Sequence, residues 1–221
     1  MTREAYHKAL KEVQADLLEM SAMAATAIKR AMAALKDRDI PASEKVVDDD
    51  IHINRKRFRI EERCVMLIAT QQPMAVDLRV LAAIINVITD LERIADHAEG
   101  IAKISIIIGD EPLVKPLVDM PRMAEKAVSM LTRCMKAFVE RDIETARKIC
   151  DDDDEVDALY DEIYRELIHI MIEDPTKIKG ATYLIWGAHN LERIADRVTN
   201  IAERVVYMVT GKMEEMNVSK Y

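Results

Sequence analysis

Apolar side chains recur along most of this chain at intervals of three or four residues, the spacing that places them on one face of an α-helix. A first stretch of this kind runs from Leu10 to Leu35. A second stretch carries one apolar residue in each heptad, at Val46, Ile53, Ile60 and Leu67. The pattern predicts long amphipathic helices, each with polar residues on its opposite face.

Helix-breaking residues separate these helices from one another. Asp37 to Pro41 interrupt the first pattern, and Pro41 suits the first turn of the following helix. The second helix stops before Pro73, and the sequence GDEPLVKP (109–116) separates two halves of the chain. Gly211 is predicted to cap the last helix. The third helix is predicted from about residue 77 to 108, and the later ones at about 115–140, 143–173 and 177–210.

The two halves are copies of one unit. Residues 34–50 align with residues 137–153, and eight of these 17 positions are identical. Residues 91–103 align with residues 191–203, where eight of 13 positions are identical and both copies read LERIAD. Short connections make neighbouring helices antiparallel. We therefore predict an all-α fold of six long helices, forming two pseudo-repeated antiparallel three-helix bundles. The predicted domains are residues 1–110 and 111–221.

Composition supports the helical prediction and narrows the function. Of the 221 residues, 50% are hydrophobic but only 4% are aromatic, and helix-forming residues dominate. The net charge of −8 argues against nucleic-acid binding through a broad basic face. Three cysteines without CxxC spacing indicate reduced thiols rather than a disulfide framework or zinc site. Since MTREAYHKAL at the N-terminus has no apolar h-region and no apolar stretch is long enough to span a bilayer, we expect a cytoplasmic protein that meets membranes only through partners.

Both LERIAD copies place an acidic pair beside the apolar face of a helix. With Leu91 at 0° and about 100° per residue, Glu92 lies near 100° and Asp96 near 140°, on the shoulder of the apolar arc. Glu192 and Asp196 occupy the same angles in the second copy. Acidic residues in such positions usually form a solvated flank. These carboxylates repel each other slightly at i,i+4, yet both copies keep them, and a bound cation would offset the repulsion.

The preceding helix of each half adds a second oxygen-bearing pair, again at i,i+4 spacing. Asp50 and Asn54 lie near the edge of the core in the first half, as do Asp153 and Asp157 in the second. Oxygen ligands without a fixed histidine suit Mg²⁺, Ca²⁺, Mn²⁺ or iron. The sequence therefore predicts one metal site in each half.

Motifs at both ends of this pattern resemble the PhoU family of phosphate-uptake regulators. QQPMAVDLR is followed by DLERIADHAEGIA, and LERIADRVTNIAE comes a hundred residues later. The resemblance covers nearly the whole chain. It implies a regulator rather than an enzyme, acting as an adaptor between a phosphate ABC transporter, through its ATPase subunit, and a phosphate-sensing histidine kinase. Such a regulator holds the phosphate-starvation response off and maintains phosphate homeostasis.

The same resemblance implies a homodimer and a multinuclear metal cluster on each bundle, with iron favoured over manganese, magnesium or calcium. Glu92 and Asp96 match the first signature motif, and Glu192 and Asp196 the second. The residues that match the family's acidic positions on the preceding helix are Asp50, Asn54, Asp153 and Asp157.

Two other kinds of protein remain open from the residues. A carboxylate-bridged di-metal redox enzyme usually needs Glu-x-x-His on two helices, facing a bundle core. His97 lies on the far side of its helix from the carboxylates, and His189 has Thr89 as its counterpart. The other alternative is a helical interaction protein without metal. The 14 methionines are interpreted mainly as core filler, and we expect Trp186 to pack between helices.

Overall fold

A computed structural model describes residues 3–216, and their regular structure is entirely helical. Six long helices and one 3-10 turn follow in order: α1 Arg3–Asp37, α2 Ile40–Gln71, α3 Val76–Ile108, α4 Asp119–Glu140, α5 Ile143–Glu173, the turn Pro175–Lys177, and α6 Ile178–Thr210. Within residues 3–216 there is no β-strand. The predicted all-α class and six long helices are confirmed.

Capping residues explain where several helices begin and end. The Asp39 side chain accepts a hydrogen bond from the backbone N–H of Ala42 at 2.9 Å, which starts α2 with Pro41 in its first turn. Asp142, the equivalent residue in the second half, caps α5 in the same way. Gly211 adopts the left-handed conformation at φ 76° and ends α6, as predicted.

The start of α4 differs from the prediction. This helix begins at Asp119 rather than near residue 115, and residues 109–118 form a non-helical connection. Pro116 prevents a start at Lys115, because a proline disfavours helical backbone at the residue before it. The connection between the halves is therefore longer than the hydrophobic pattern indicated.

The two bundles meet through their third helices. α1 and α2 pack on α3, α4 and α5 pack on α6, and α3 packs on α6 at the centre of the molecule, while α1 also contacts α4. Leu91 and Ile94 of α3 are fully buried, and so are Leu191 and Ile194 of α6. The apolar residues of both LERIAD copies thus fill the two cores, which leaves their acidic residues at the edge.

Most of the predicted core residues are buried, with one notable exception. Met20, Met123 and Met130 are buried, in agreement with their interpretation as core filler. The expectation for Trp186 was wrong, because 53% of this residue is exposed on α6, where it contacts Tyr183 edge to face. Cys64, like the other two cysteines, is buried and free.

None of the helices within the described part of the chain is both long enough and apolar enough to cross a membrane.

Candidate functional site

The eight predicted ligand residues form two equivalent surface ridges, one along each pair of neighbouring helices. The first ridge joins α2 and α3, and the second ridge joins α5 and α6. We define the first ridge as Asp50, Asn54, Glu92 and Asp96, and the second ridge as Asp153, Asp157, Glu192 and Asp196.

Asp50 of α2 lies close to the carboxylates of α3 in the first ridge. Its Oδ2 accepts a hydrogen bond from Nδ2 of Asn54 at 2.5 Å, whereas its buried Oδ1 accepts none. The pKa of Asp50 is raised from 3.8 to about 6, first by burial and then by the negative charges of Asp96, Glu99 and Glu92. The carboxylates of α2 and α3 therefore share one electrostatic environment, as the angular positions predicted.

Basic side chains partly neutralise the first ridge and the neighbouring Glu99. Nη1 of Arg57 lies 3.6 Å from Oε1 of Glu92. Nζ of Lys103 lies 2.7 Å from Oε2 of Glu99. Burial and then the charge of Asp96 raise the pKa of Glu92, and Arg57 opposes that shift. Sequence reasoning did not identify Arg57, although its position three residues after Asn54 places it on the same face of α2.

In the second ridge, the pKa of Glu192 is strongly raised. Its pKa reaches about 7, because burial and the negative charges of Asp196 and Asp157 raise it more than Arg193 lowers it. Nδ1 of His189 lies 3.2 Å from the buried Oε2 of Glu192, but this oxygen accepts no hydrogen bond of adequate geometry. His189 is exposed, yet it contacts the ridge.

The remaining members of the second ridge differ in burial. Asp153 is only 2% exposed, whereas Asp157 and Asp196 are partly accessible. Nη1 of Arg193 donates a hydrogen bond to Oδ2 of Asp196 at 2.7 Å. Burial is the first cause of the raised pKa of Asp196, and Arg193 opposes it. The two ridges occupy equivalent backbone positions, but different basic side chains face their carboxylates.

The donor chemistry of both ridges suits an oxygen-preferring cation. The buried oxygens of Asp50 and Glu192 that lack hydrogen bonds are places where such a cation would replace lost solvation. Among residues 3–216, however, no three His, Cys, Asp or Glu side chains are already arranged around a common metal position. Glu92 and Asp196 each face an arginine, so binding would require them to turn from these partners.

The histidines do not form the di-metal motif considered from the sequence. His97 points to the contact between the two bundles, where its Nδ1 lies 2.9 Å from Oδ1 of Asn190. The predicted carboxylates lie at the edges of the bundle cores rather than inside a four-helix core. His189 lies at an exposed position and has Thr89 as its counterpart. This arrangement is unlike a site with two inward-facing Glu-x-x-His helices.

Comparisons with known proteins agree with the duplicated fold. A family model described as PhoU domain matches the chain twice, over residues 17–105 and 120–205. A phosphate-specific transport system accessory protein PhoU homolog from Clostridium acetobutylicum is 37% identical over 218 residues, which cover 98% of this chain and 100% of the relative.

Two solved structures are also similar over nearly their whole length. The crystal structure of PhoU from Pseudomonas aeruginosa has a TM-score of 0.89 and 33% identity, covering 94% of this chain and 100% of that chain. The crystal structure of the phosphate transport system regulatory protein PhoU from Streptococcus pneumoniae has a TM-score of 0.88 and 29% identity, covering 95% and 99%. These names describe accessory and regulatory proteins rather than enzymes, in agreement with the sequence expectation.

Proposed function

The chain belongs to the PhoU family, and we propose from this premise that it is a regulatory accessory protein of phosphate-specific transport. Similarity to a relative of that name over 98% of this chain is the observation that carries the proposal. In its finer form, the protein is a cytoplasmic adaptor between the ATPase subunit of a phosphate ABC transporter and a phosphate-sensing histidine kinase. It represses the phosphate-starvation response when phosphate is plentiful.

Exposed apolar side chains at corresponding ends of the two halves support a role in binding proteins. Met74, in the turn between α2 and α3, is 82% exposed, and Leu78 lies nearby at the start of α3. On either side of the equivalent turn between α5 and α6, Ile172 near the end of α5 is 74% exposed and Ile178 at the start of α6 is also exposed. Exposed apolar side chains that lie together on a surface mark places where partners bind, and each turn has two of them in or beside it. We include a second copy of the chain among these partners.

We also propose that each ridge holds a metal cation, iron being favoured and manganese, magnesium or calcium being the alternatives. Asp50 and Asn54 would serve with Glu92 and Asp96 in the first half. Their equivalents would serve in the second half, namely Asp153, Asp157, Glu192 and Asp196. When bound, such a cation would supply positive charge that offsets the repulsion among these carboxylates and fixes the spacing of the two helices. The residues themselves set the position and the charge of each site.

Complementation in a bacterium that lacks its own PhoU gene tests the regulatory proposal. The measurements are a reporter driven by a phosphate-starvation promoter and the rate of phosphate uptake, both at high phosphate. We expect this chain to restore repression of the reporter. Corrected uptake without repression would contradict the link to the kinase, and no effect on either measurement would contradict the regulatory function.

Metal analysis of protein purified without an affinity tag tests the ridges separately. We expect Glu92→Ala/Asp96→Ala to lower metal per chain while helical content is retained. Glu44→Ala/Asp48→Ala is the matched control, because it removes an i,i+4 acidic pair from the exposed face of α2. Equal metal content in both variants and the parent would show that Glu92 and Asp96 are not ligands. Metal-dependent oxidase turnover would instead favour the di-metal enzyme.

A further inference from the structure

The first bundle contains an open groove between α1 and α2. At the equivalent place in the second bundle, between α4 and α5, the groove is largely closed. The groove of the first bundle encloses about 480 Å³. Its walls are mainly apolar, and Ala95 of α3 contributes to the lining. The apolar residues that line it are Ala22, Met23, Ala27, Val46, Ile53 and Ala95. We call this cavity the α1–α2 groove.

One ion pair is common to both bundles and bridges corresponding helices. Nη1 of Arg30 lies 2.6 Å from Oδ2 of Asp49 beside the α1–α2 groove. The equivalent residues, Arg133 and Asp152, form a pair at 2.6 Å between α4 and α5. The two bundles thus have the same polar bridge at this level, so the difference between their grooves must arise elsewhere.

The difference arises two turns away from this bridge on α1 and α4. In the second bundle, Lys126 pairs with Glu155 across the space between α4 and α5. The corresponding positions in the first bundle are Met23 and His52, which cannot form that bridge. The second bundle retains a smaller and more polar cavity of about 230 Å³ there.

The filling of the two grooves differs as well. Met130 of α4 is 1% exposed and occupies space in the core of the second bundle. Ala27 is its equivalent in α1 and lines the open groove. A methionine is longer than an alanine by three heavy atoms, so the first bundle leaves room for an apolar side chain that the second bundle supplies itself.

The polar groups around the α1–α2 groove favour a basic ligand. Asp50 lines the groove and has a buried oxygen without a hydrogen bond, and Glu19 and Asp49 are acidic neighbours. Arg30 offsets Asp49 and Lys56 offsets Glu19 at 2.6 Å, which leaves Asp50 as the acidic group of the lining that forms no ion pair with a lysine or arginine of residues 3–216. An apolar pocket with a few convergent polar groups is the usual form of a binding site.

We propose that the α1–α2 groove binds an amphipathic helix of a partner protein, which inserts apolar side chains between α1 and α2 and places a lysine or arginine beside Asp50. The groove extends along α1 from Glu19 to Arg30, roughly 16 Å at 1.5 Å per residue. This length matches apolar residues at i, i+4 and i+7 of a bound helix. The proposal goes beyond regulation of phosphate transport and does not require a metal.

A designed peptide provides the probe for this groove. It is an alanine-based helix of about 18 residues, with leucines at i, i+4 and i+7 and lysines beside that stripe. The control peptide has the same composition with the leucines distributed around the helix. Titrations are made in chelating buffer, with the methyl groups of Met23 and Met130 as NMR reporters of the two bundles. We expect the striped peptide to shift the Met23 signal and to bind more tightly than the control.

Two variants that copy the second bundle test the location. Ala27→Met should fill the groove as Met130 fills its own bundle, and Met23→Lys/His52→Glu should close it as Lys126 and Glu155 do. Each should weaken peptide binding at least about tenfold, and the double variant is read by calorimetry because it lacks the Met23 reporter. Ser129→Ala, in the smaller cavity of the second bundle, should leave binding unchanged.

Several results would overturn the proposal. Equal binding of both peptides would show attraction by charge alone, and a shift confined to Met130 would place the ligand on the other bundle. Unchanged affinity in both variants, or no binding of the striped peptide, would also exclude this groove. Loss of peptide binding after metal is added would support the proposal instead, because it would show that the peptide and the metal compete for Asp50.

Discussion

His97 of α3 and Asn190 of α6 join the two bundles through a contact of 2.9 Å between Nδ1 and Oδ1. Asp90 and Arg197 form a second polar pair, with 3.8 Å between Oδ1 and Nη1. Positions 90 and 190 are equivalent in the duplication, and so are positions 97 and 197. Exchanging the two halves of the chain therefore turns one contact into the other, so the duplication extends to the contact between the bundles.

Asn190→Ala should lower the free energy of unfolding by about 1–2 kcal/mol, because it removes the partner of a half-buried imidazole. Burial lowers the pKa of His97, and the hydrogen bond to Asn190 opposes that shift. Urea denaturation measures the effect. Asn86→Ala is the matched control: Asn86 and Asn190 each donate to a carbonyl four residues earlier, but Asn86 is exposed. Equal losses in both variants would show that the contact with His97 contributes nothing.

Asp50→Asn should change how stability depends on pH in the metal-free protein. Because the folded-state pKa of Asp50 is about 6, above its ordinary 3.8, this carboxyl favours folding when protonated. Its stabilisation is fully present below about pH 4 and is lost as pH rises through 6. The variant should therefore gain stability over the parent between pH 4 and 7, by less than about 1 kcal/mol after solvent screening.

Thermal unfolding over that pH range, in chelating buffer, measures the difference between the two proteins. Asp48→Asn, on the exposed face of α2, is the control and should leave the curve parallel to that of the parent. A constant difference between Asp50→Asn and the parent from pH 4 to 7 would contradict the raised pKa.

Asp39→Ala should destabilise the start of α2 by about 1 kcal/mol, because the N-terminal N–H of Ala42 loses its side-chain acceptor. Asp39→Asn keeps a side-chain oxygen and should retain most of the stability. Chemical denaturation measures both variants. If alanine and asparagine had the same effect, the cap would not be the source of the loss.

Arg57→Gln should strengthen metal binding at the first ridge by roughly tenfold, because it removes a positive charge 3.6 Å from Glu92. Calorimetric titration with Mn²⁺ measures the affinity. Arg59→Gln removes the same charge from an exposed position on α2 and should have a much smaller effect. Equal affinities of the two variants would mean that Arg57 does not compete with a cation at this ridge.

The hydrophobic pattern was sufficient to predict six helices, apart from the start of α4, and the edge positions of the carboxylates. The spacing of Leu91, Glu92 and Asp96 sets their angles around α3, and any helix with this sequence has the same angles. Asp39 and Pro41 likewise marked the start of α2, since capping depends on adjacent residues. These features are local, so one sequence contains the information that determines them.

Contacts between distant helices were not available from the same pattern. Angles around a single helix do not show that Arg57 reaches Glu92, or that His97 meets Asn190 across the two bundles. Trp186 was misplaced for the same reason: its neighbours on α6 are apolar, but packing leaves 53% of the residue exposed. The residues that join helices depend on packing, which the spacing of apolar residues leaves undetermined.

The central claim is that the duplicated ridges bind cations at equivalent places. Anomalous diffraction from crystals grown with Mn²⁺ measures this directly, because it locates the ion without relying on regulation in cells. We predict anomalous peaks beside Asp50, Glu92 and Asp96, and beside their equivalents in the second bundle. Crystals with manganese present that show no peak at either ridge, or peaks only elsewhere on the surface, would contradict the account.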